Sequence, residues 1–458
     1  MLTSIPKGTK DMLPSEAYKW QFIEKKFDEI CKRFGYKEIR TPNFEHTELF
    51  LRGIGDTTDV VQKEMYNFKD HGDRDITLKP EGTAGVVRAF VENNIYADAQ
   101  PTKLYYDTAC YRYEKPQAGR LREFHQFGVE CFGSTNMVSD AEIITLGYTF
   151  LKELGIDDLS LEINSVGCPN CRKNHREALK NFLRPNFDKL CDTCKSRFDR
   201  NPMRIIDCKS KEDQEIVKDA PMMLDFLCDD CKNAFEELKK NLDAIGIKYT
   251  VNPKIVRGLD YYTKTAFEFT TDRLGAQSAV CAGGRYDNLV EEIGGPSVPG
   301  VGFGLGKERL LLLLEAYSIE IPNDNTIDLF IATMGENAKL YGLKLMNELR
   351  LSNLRVEMDD MQRNFKGQFK MADRVKAKYT IVIGDNELEN GTVSLKNMET
   401  GDEAEYTIVG STEADPFAGK ISNESAVGHG LLGHKIGETV EIEVFEAHKV
   451  EFKILDVH

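Results

Sequence analysis

The sequence contains no apolar run long enough to cross a membrane. Its longest purely apolar stretch is Leu310–Leu314, whereas a membrane-spanning helix needs about 20 such residues. The first residues, MLTSIPKGTKDMLPSE, lack the apolar segment of a signal peptide. Positive charge is also scarce, with 60 Lys and Arg against 75 Asp and Glu, and an acidic surface repels the phosphate backbone of nucleic acids. We therefore expect a cytoplasmic protein that meets any nucleic acid through a local basic face.

Cysteine is more frequent, with eleven residues, and a long chain without an export signal keeps its cysteines as reduced thiols or metal ligands. Four of them form a C-x2-C-x19-C-x2-C pattern with zinc-ribbon spacing, namely Cys168, Cys171, Cys191 and Cys194. Three more follow in the same stretch, Cys208, Cys228 and Cys231. The pattern fits a structural zinc site or free thiols, and it leaves open which four cysteines would bind the metal. The other four, Cys31, Cys110, Cys131 and Cys281, lie in apolar contexts and are expected in the core.

Residues 1–325 combine helical and strand patterns. Apolar residues recur at helical spacing over 14–34, which predicts a helix. Two β-like runs over 102–133, separated by a polar loop, predict a long antiparallel hairpin. A cysteine-rich, charged stretch at about 166–245 is flanked by two further predicted strands, and it reads as an inserted module. This first region is thus predicted to be an α+β domain.

The rest of the chain changes character twice. Residues 326–405 follow a β-α-β-α-β order, which predicts a small α/β domain with a largely parallel sheet. From about Val393 the sequence turns to short strands, turns and glycine, so residues 406–458 are predicted to form a small, β-rich unit.

The predicted hairpin carries an unusual density of charge in YRYEKPQAGRLREFHQFGVE, residues 111–130. Alternation places Arg112 and Glu114 on one face of the first strand, and Gln126 and Glu130 on one face of the second. An arginine guanidinium binds a phosphate or carboxylate through two parallel hydrogen bonds. For an isolated segment of this kind, a solvated hairpin with cross-strand charge pairs would be the better explanation. His125 is interpreted as a packing residue.

Four other segments share this character, combining glycine with charged or aromatic residues: LKPEGTAGVVRAF (78–90), VRGLDYYTKTAFEF (256–269), AGGRYDNLVEEIGG (282–295) and GVGFGLGKERLLLLLE (300–315). The first reads as a loop entering a helix, whose free N–H groups favour anions. The third reads as a turn with two glycines. The glycines in these segments allow another group to approach the backbone closely.

Together these segments resemble the histidyl-tRNA synthetases, a family of class II aminoacyl-tRNA synthetases. EIRTPNFEHTELF resembles the dimer-forming motif 1, the charged hairpin resembles motif 2, and GFGLGKERL resembles motif 3. RGLDYYTKTAFEF and GGRYDNL resemble the two segments peculiar to the histidine enzymes. The chain contains neither a Walker GxxxxGK[ST] loop nor the HIGH and KMSKS signatures of class I synthetases.

The resemblance implies a class II catalytic core with an antiparallel sheet, a homodimer, and a two-step reaction with ATP, Mg²⁺, histidine and tRNA(His). It implies that Arg112 and Arg257 stabilise the α-phosphate and the reacting carboxylate. It implies ATP contacts from Arg112, Arg120 and Arg309. The residues implied to bind histidine are Glu81, Thr83, Gln126, Glu130, Tyr261 and Tyr262. Each has a simpler structural explanation: Glu81 could cap a helix, the tyrosines could be core residues, and Arg309 could form a helix salt bridge.

The α/β region resembles the anticodon-binding domain of the same family. Within it, MQRNFKGQFKMADRVKAKY (361–379) has six cations and one acid, and such a face can meet tRNA phosphates. The tRNA contacts are assigned to Arg363, Lys366, Lys370 and Arg374. A solvated charged helix is the ordinary alternative.

Residues from about 393 to 458 resemble the C-terminal domain of Gre-type transcript-cleavage factors, which has an FKBP-like β-rich fold. The likeness is carried by IVGSTEADPFAGKISNES and LLGHKIGETVEIEV. It leaves two possibilities for the tail, a folded appendage or a surface that docks on RNA polymerase. The sequence is compatible with two other functions for the whole chain: a non-catalytic synthetase paralogue that regulates histidine biosynthesis, and a transcription-associated binding protein. Retention of the RGLDYY arginine and of the anticodon-binding region favours the ligase.

Overall fold

The structure is a computed structural model that describes residues 3–55, 58, 60–274, 279–323, 325–390, 392–401, 403–409, 420–422, 439–445 and 448–453. The chain divides into two compact units, Met1–Pro322 and Asn323–His458, and each is described by itself. No helix among the described residues is both long and apolar enough to span a bilayer.

The first unit contains strands and helices in mixed order. Its strands are β1 (Lys37–Glu38), β2 (Phe44–His46), β3 (Tyr66–Lys69), β4 (Asp75–Leu78), β5 (Thr102–Tyr111), β6 (Glu123–Phe132), β7 (Ser160–Ser165), β8 (Thr250–Val251), β9 (Thr263–Thr270), β10 (Ala279–Tyr286) and β11 (Gly300–Gly306). Its helices are α1 (Pro14–Arg33), α2 (Thr47–Ile54), α3 (Thr83–Glu92), α4 (Val138–Glu153), α5 (Pro169–Leu183), α6 (Asp192–Arg200), α7 (Met203–Ile206), α8 (Lys211–Ile216), α9 (Asp229–Ile245), α10 (Leu289–Glu292) and α11 (Lys307–Ala316).

An eight-stranded sheet organises this unit, in the order β1-β5-β6-β11-β10-β9-β7-β8. Only the outermost pairs, β1 with β5 and β7 with β8, are parallel; the other neighbours are antiparallel. The predicted helix over 14–34 and the hairpin over 102–133 are confirmed as α1 and β5–β6. A separate antiparallel sheet has the order β2-β4-β3.

The two faces of the large sheet pack differently. On one face, α1 and α4 cover an aromatic core in which Phe27 stacks on Phe127 with ring centroids 4.2 Å apart. On the other face, Phe90 of α3 stacks on Phe132 at 4.4 Å. The second face also carries the buried tyrosines of the pocket described below. Apolar side chains are therefore buried on both faces of the sheet.

The prediction of a turn at AGGRYDNL was wrong, because Gly283 and Gly284 lie inside β10. A Cβ atom at Gly283 would collide with the backbone oxygen of Gly302 on β11, and one at Gly284 would collide with the backbone oxygen of Thr265 on β9. The two glycines therefore allow three strands to lie unusually close together, which local sequence does not distinguish from a turn.

The inserted module is entirely helical among its described residues and comprises α5 to α9. It has a small core of its own, which includes Leu179, Phe198 and Val217. It lies between β7 and β8 in the chain, so both of its ends join the same edge of the large sheet.

The second unit begins with the predicted β-α-β-α-β order, and that prediction is confirmed. Its elements are β12 (Leu329–Thr333), α12 (Glu336–Leu351), β13 (Val356–Met358), α13 (Phe365–Arg374), β14 (Tyr379–Ile383), α14 (Asp385–Asn390), β15 (Thr392–Asn397), β16 (Glu403–Val409), β17 (Lys420–Ser422), β18 (Thr439–Phe445) and β19 (His448–Lys453). The sheet order is β13-β12-β14-β15-β16-β17, in which β13, β12 and β14 are parallel. Strands β18 and β19 form an antiparallel hairpin. The rest of the FKBP-like prediction falls outside the described residues.

Candidate active site

A cleft of about 380 Å³ opens on the α3 side of the large sheet. Its walls come from the loop before α3, the loop after β5, the segment before β9, and the junction of β11 with α11. Nine of the residues implied by the resemblance line it: Glu81, Thr83, Arg112, Arg120, Gln126, Arg257, Tyr261, Tyr262 and Arg309. Four segments that are distant in sequence thus converge on one cavity.

The loop before α3 supplies a buried carboxylate. Glu81 accepts hydrogen bonds from the backbone N–H groups of Thr83 (2.9 Å) and Ala84 (2.7 Å). Glu81 therefore caps α3, which is the structural role expected from its sequence position. It also lines the cleft. Burial raises the pKa of Glu81, and the two N–H donors oppose that rise.

Glu130 lies beneath the cleft rather than in its wall, and only 1% of the residue is exposed. Its carboxylate accepts hydrogen bonds from the hydroxyl of Thr83 at 2.7 Å, from that of Tyr106 at 3.1 Å and from that of Tyr286. Burial raises the pKa of Glu130 from its ordinary 4.5 to about 8, although these donors favour the charged form. The free cleft therefore holds a carboxyl group that carries a proton at neutral pH.

Glycines of the paired strands β6 and β11 make room for this network. A Cβ atom at Gly302 would collide with the carboxylate of Glu130, and one at Gly128 would collide with the ring of Tyr106. Any larger residue at these positions would push a buried polar group out of its hydrogen bonds.

The opposite end of the cleft is cationic. Arg112 and Glu114 follow the last residue of β5, so their predicted place on a strand face was wrong. The Nε of Arg112 donates to the backbone oxygen of Pro80 at 2.8 Å. The carboxylate of Glu114 lies 3.2 Å from Arg120 and 4.0 Å from Arg112. Burial lowers the pKa of Arg309, and the positive charge of Arg120 lowers it further. Two guanidinium groups close enough to repel each other form a site that a polyanion would stabilise.

Arg257 is a buried cation with partners on two sides. It forms an ion pair with Glu268 on β9, and its guanidinium lies over the ring of Tyr262, 5.1 Å from the centroid. Its Nε has no hydrogen-bond partner among the described residues. The rings of Tyr261 and Tyr262 lie 4.7 Å apart beside it. The ion pair and the ring hold the guanidinium at the cleft while one of its donors stays unused.

The inserted module reaches the same cleft, which the sequence did not predict. Arg204 and Asp207 line it. Three hydrogen bonds hold the loop that carries Arg257: Arg204 donates to Gly258 O (3.0 Å), Asn201 to Asp260 Oδ1 (2.7 Å) and Arg172 to Asp260 O (3.1 Å). The module is therefore part of the wall rather than a distant appendage.

The four cysteines chosen from their spacing do not come together. Cys168 and Cys171 group with Cys228 and Cys231, whereas Cys191 and Cys194 group with Cys208 and Asp213. This grouping has a topological cause, because α5 and α9 start side by side at the two ends of the module while α6 starts inside it. The cysteines predicted for the core, Cys31, Cys110, Cys131 and Cys281, are all buried.

In the second unit, α13 presents a row of cations. Lys366, Lys370 and Arg374 are exposed and four residues apart, so they share one face; we call them the α13 stripe. Arg363 precedes the helix and is ion-paired with Asp359. The opposite face buries Gln368, whose side chain bonds both the N–H and the C=O of Thr333.

Several residues of the site were not predicted, and they share burial or a partner distant in sequence: Tyr106, Glu114, Arg204, Asp207, Glu268 and Tyr286. Glu114, Glu268 and Tyr286 belong to the charged or glycine-containing segments of the sequence, where their charge or hydroxyl is the signal that could have identified them. The ring of His125 lies edge-on to Trp20 at 5.2 Å, as expected of a packing residue, and it also contacts Glu308 through Nδ1.

Comparison with known families assigns most of the chain. Residues 8–310 match the family described as "Histidyl-tRNA synthetase", residues 328–411 match "Anticodon binding domain", and residues 389–458 match "Transcription elongation factor, GreA/GreB, C-term". The likeness of the tail to Gre factors is thus confirmed at the level of the family.

Individual relatives agree. The "Histidine--tRNA ligase" of Caldanaerobacter subterraneus subsp. tengcongensis is 60% identical over 408 residues, covering 89% of this chain and 98% of that protein. That of Clostridioides difficile is 57% identical, covering 92% and 100%. The crystal structure of apo histidyl-tRNA synthetase from S. aureus has a TM-score of 0.76 at 44% identity, covering 89% of this chain and 97% of that one. An ATP phosphoribosyltransferase regulatory subunit/histidyl-tRNA synthetase from Bacillus halodurans C shares the fold at 20% identity, with a TM-score of 0.62, covering 84% and 98%.

Proposed function

This chain belongs to the histidyl-tRNA synthetase family and is a histidine–tRNA ligase, and we propose that the cleft on the large sheet is where it joins histidine to ATP. The observation that carries the proposal is the division of the cleft. Cations gather at one end, buried hydrogen-bond acceptors lie at the other, and Arg257 lies beside both tyrosines. ATP and an amino acid carry the complementary groups.

In the first step, the histidine carboxylate attacks the α-phosphorus of ATP and pyrophosphate leaves, giving histidyl-adenylate. The reacting groups are both anions, so their approach requires fixed positive charge. We assign that role to Arg112 and Arg257. Both are already held in the free protein, Arg112 by Pro80 O and Arg257 by Glu268, so little reorganisation is needed during the reaction. In the second step, a terminal ribose hydroxyl of tRNA(His) attacks the carbonyl carbon of the adenylate, so that an ester forms, the bond to phosphate breaks and AMP leaves.

Histidine recognition is assigned to Glu81, Thr83, Gln126, Tyr261 and Tyr262, all of which line the cleft. Glu130 acts indirectly in this scheme, as a positioning residue. It fixes the hydroxyls of Thr83 and Tyr106 by accepting a hydrogen bond from each of them. A cationic α-ammonium group entering the cleft would favour the ionised form of Glu130, so binding of histidine should couple to loss of its proton.

ATP is assigned to Arg112, Arg120 and Arg309 at the cationic end. Mg²⁺ takes oxygen ligands and commonly stays bound to substrate phosphates with several waters. The residues fit such an ion, since the carboxylate of Glu114 lies among the arginines. When bound with ATP, the ion would neutralise part of the phosphate charge, and Glu114 would supply a carboxylate oxygen to it or to its waters.

The test is histidine-dependent ATP–pyrophosphate exchange with the purified chain. Arg257→Ala should lower kcat by about 100- to 1000-fold, the usual effect of removing one donor to a developing charge. Arg273→Ala is the matched control, since Arg273 is half exposed and pairs with Asp158. Exchange by Arg257→Ala at the wild-type rate would refute its role, and absence of exchange in the wild type would refute the proposed chemistry.

We further propose that tRNA is met by the α13 stripe together with Arg363, and that the chain acts as a homodimer in the cytoplasm. Support for a dimer comes from the small sheet β2-β4-β3, where Phe44 is 58% and Phe68 is 47% exposed. Side chains of this size gain free energy when a partner covers them. Sedimentation of the purified chain as a monomer would contradict the dimer.

The Gre-like tail is proposed to be an accessory unit that the ligase reaction does not require. Relatives named as ligases are covered almost completely by about 408 residues of this chain. RNA polymerase docking is the alternative for the tail. A regulatory paralogue is disfavoured, because the chain keeps Arg257 and matches an anticodon-binding domain.

A further inference from the structure

The inserted module contains three C-x2-C pairs, and each pair begins a helix. Cys168, Cys191 and Cys228 immediately precede α5, α6 and α9, and the second cysteine of each pair lies in the first turn. Free backbone N–H groups and the helix dipole favour negative charge at such positions. Each pair thus presents two thiols in a setting that favours thiolates.

The first and last pairs meet. The sulfur atoms of Cys168, Cys171, Cys228 and Cys231 all lie within 4.8 Å of one another. Cys168 Sγ is 3.5 Å from Cys171 Sγ and 4.0 Å from Cys228 Sγ. A tetrahedral Zn²⁺ with Zn–S bonds of about 2.3 Å needs sulfurs about 3.8 Å apart. The two distances lie on either side of that value and the remaining sulfur pairs lie within 4.8 Å, so the four sulfurs are close to the arrangement of a zinc shell.

The surroundings of this group also suit a metal. The backbone N–H of Cys228 donates to Cys171 Sγ at 3.1 Å, a bond that supports a thiolate. Cys171 and Cys231 are buried with Met223 in a small apolar cluster, and Cys228 is exposed. Four thiols packed without an ion or a disulfide would form only weak hydrogen bonds with one another. We propose that Cys168, Cys171, Cys228 and Cys231 bind one structural Zn²⁺ as four thiolates, releasing their protons on binding.

A separate observation points to a second ion. Asp213 is fully buried, and its carboxylate accepts from the Cys191 N–H at 3.0 Å and from Cys208 Sγ at 3.1 Å. With Cys194 these groups also lie within 4.8 Å of one another. A buried carboxylate is costly unless a cation balances it. Among the described ion pairs none involves Asp213, so we infer that Cys191, Cys194, Cys208 and Asp213 hold a second structural Zn²⁺.

The first site ties together the two ends of the module. Cys171 directly precedes Arg172, which donates to the loop that carries Arg257. A metal at this position would thus anchor the wall of the cleft without touching the reacting atoms.

The test is metal analysis of the purified full-length chain after gel filtration. Two Zn²⁺ per chain are expected. Cys228→Ser should lose one and Cys208→Ser the other, whereas the control Cys31→Ala, at a buried cysteine outside both groups, should keep two. Absence of zinc in the wild type would overturn both sites. A variant that keeps two ions would overturn the site it alters. If the wild type holds one Zn²⁺, the site whose variant loses that ion would be supported and the other site would be refuted.

Since a ligand variant can fail to fold, a second measurement uses the wild-type chain loaded with Co²⁺ in place of Zn²⁺. Tetrahedral thiolate ligation should give intense visible bands and sulfur-to-metal charge transfer. A spectrum of octahedral oxygen and nitrogen ligation, or disulfides among the seven module cysteines in non-reducing mass spectrometry, would overturn the proposal.

Discussion

Glu130 should make the stability of the first unit depend on pH in a way that one substitution removes. Folding raises the pKa of this carboxyl from 4.5 to about 8, so the folded chain holds a proton between those values that the unfolded chain has lost. Its stabilising contribution is therefore complete below pH 4.5 and declines as the pH rises through 8. Each pKa unit corresponds to about 1.36 kcal/mol. Between pH 5 and pH 8 the wild-type chain should lose about 3 to 4 kcal/mol of unfolding free energy through this group.

Glu130→Gln mimics the protonated carboxyl and does not titrate. Its amide can still accept from or donate to the hydroxyls of Thr83, Tyr106 and Tyr286, because each hydroxyl can play either role. The variant should thus show a shallower pH dependence than the wild type, with the difference growing between pH 5 and pH 8. Glu237→Gln, at an exposed position on α9, is the matched control.

The single tryptophan of the chain provides the assay. Trp20 is buried in α1, so its fluorescence reports on unfolding of the first unit alone. Urea unfolding curves at pH 5, 6, 7 and 8 give the free energies for the three proteins. Parallel pH profiles for the wild type and Glu130→Gln would refute the assignment of a raised pKa to this carboxyl.

Three further outcomes are expected. Arg309→Ala should raise the KM for ATP about 10- to 100-fold, the effect of one lost charged hydrogen bond, and leave the KM for histidine nearly unchanged; equal changes in both would contradict its placement at the phosphate end. Replacing the three cations of the α13 stripe by glutamate should leave ATP–pyrophosphate exchange unchanged but weaken tRNA charging. The slope of log affinity for tRNA against log salt concentration should fall by about one per cation removed. Unchanged charging would refute the tRNA contact. Deletion of residues 410–458 should leave exchange and charging intact, and RNA polymerase should be captured by neither form; capture that requires the tail would favour docking.

Most of the secondary structure could be predicted from local sequence patterns. Helical spacing of apolar residues predicted α1, and two β-like runs around a polar loop predicted β5 and β6, because both patterns record which side of an element meets the core. The cleft was predictable for a related reason. Its residues fall in short runs where glycine, charge and aromatic side chains occur together, and those runs line the cleft.

Contacts between segments that are distant in sequence could not be predicted in the same way. The cysteine spacing predicted that Cys168 and Cys191 belong to one zinc site. In the structure Cys168 lies beside Cys228, because α5 and α9 start side by side. Gly283 resembled a turn residue because the strand that excludes its side chain is β11, in another part of the sequence. Arg204 offered no signal at all, since only the packing of the module brings it to the cleft. The local sequence pattern indicates which residues are buried or charged. It does not indicate which helices and strands become neighbours in the fold.

The order of strands in the large sheet has a consequence for synthesis of the chain. Strand β6 pairs with β11, with Phe132 opposite Gly300, so the hairpin β5–β6 leaves the ribosome long before the strand that completes its edge. At roughly 5–20 residues per second, that edge waits on the order of ten seconds. During this interval the nascent chain presents an apolar strand with unpaired N–H and C=O groups, the feature that promotes aggregation. Strand pairing at high sequence separation also slows folding. If the inserted module folds quickly, it would bring β7 and β9 together while β10 and β11 are still being synthesised. Fewer strand pairings would then remain to form after synthesis.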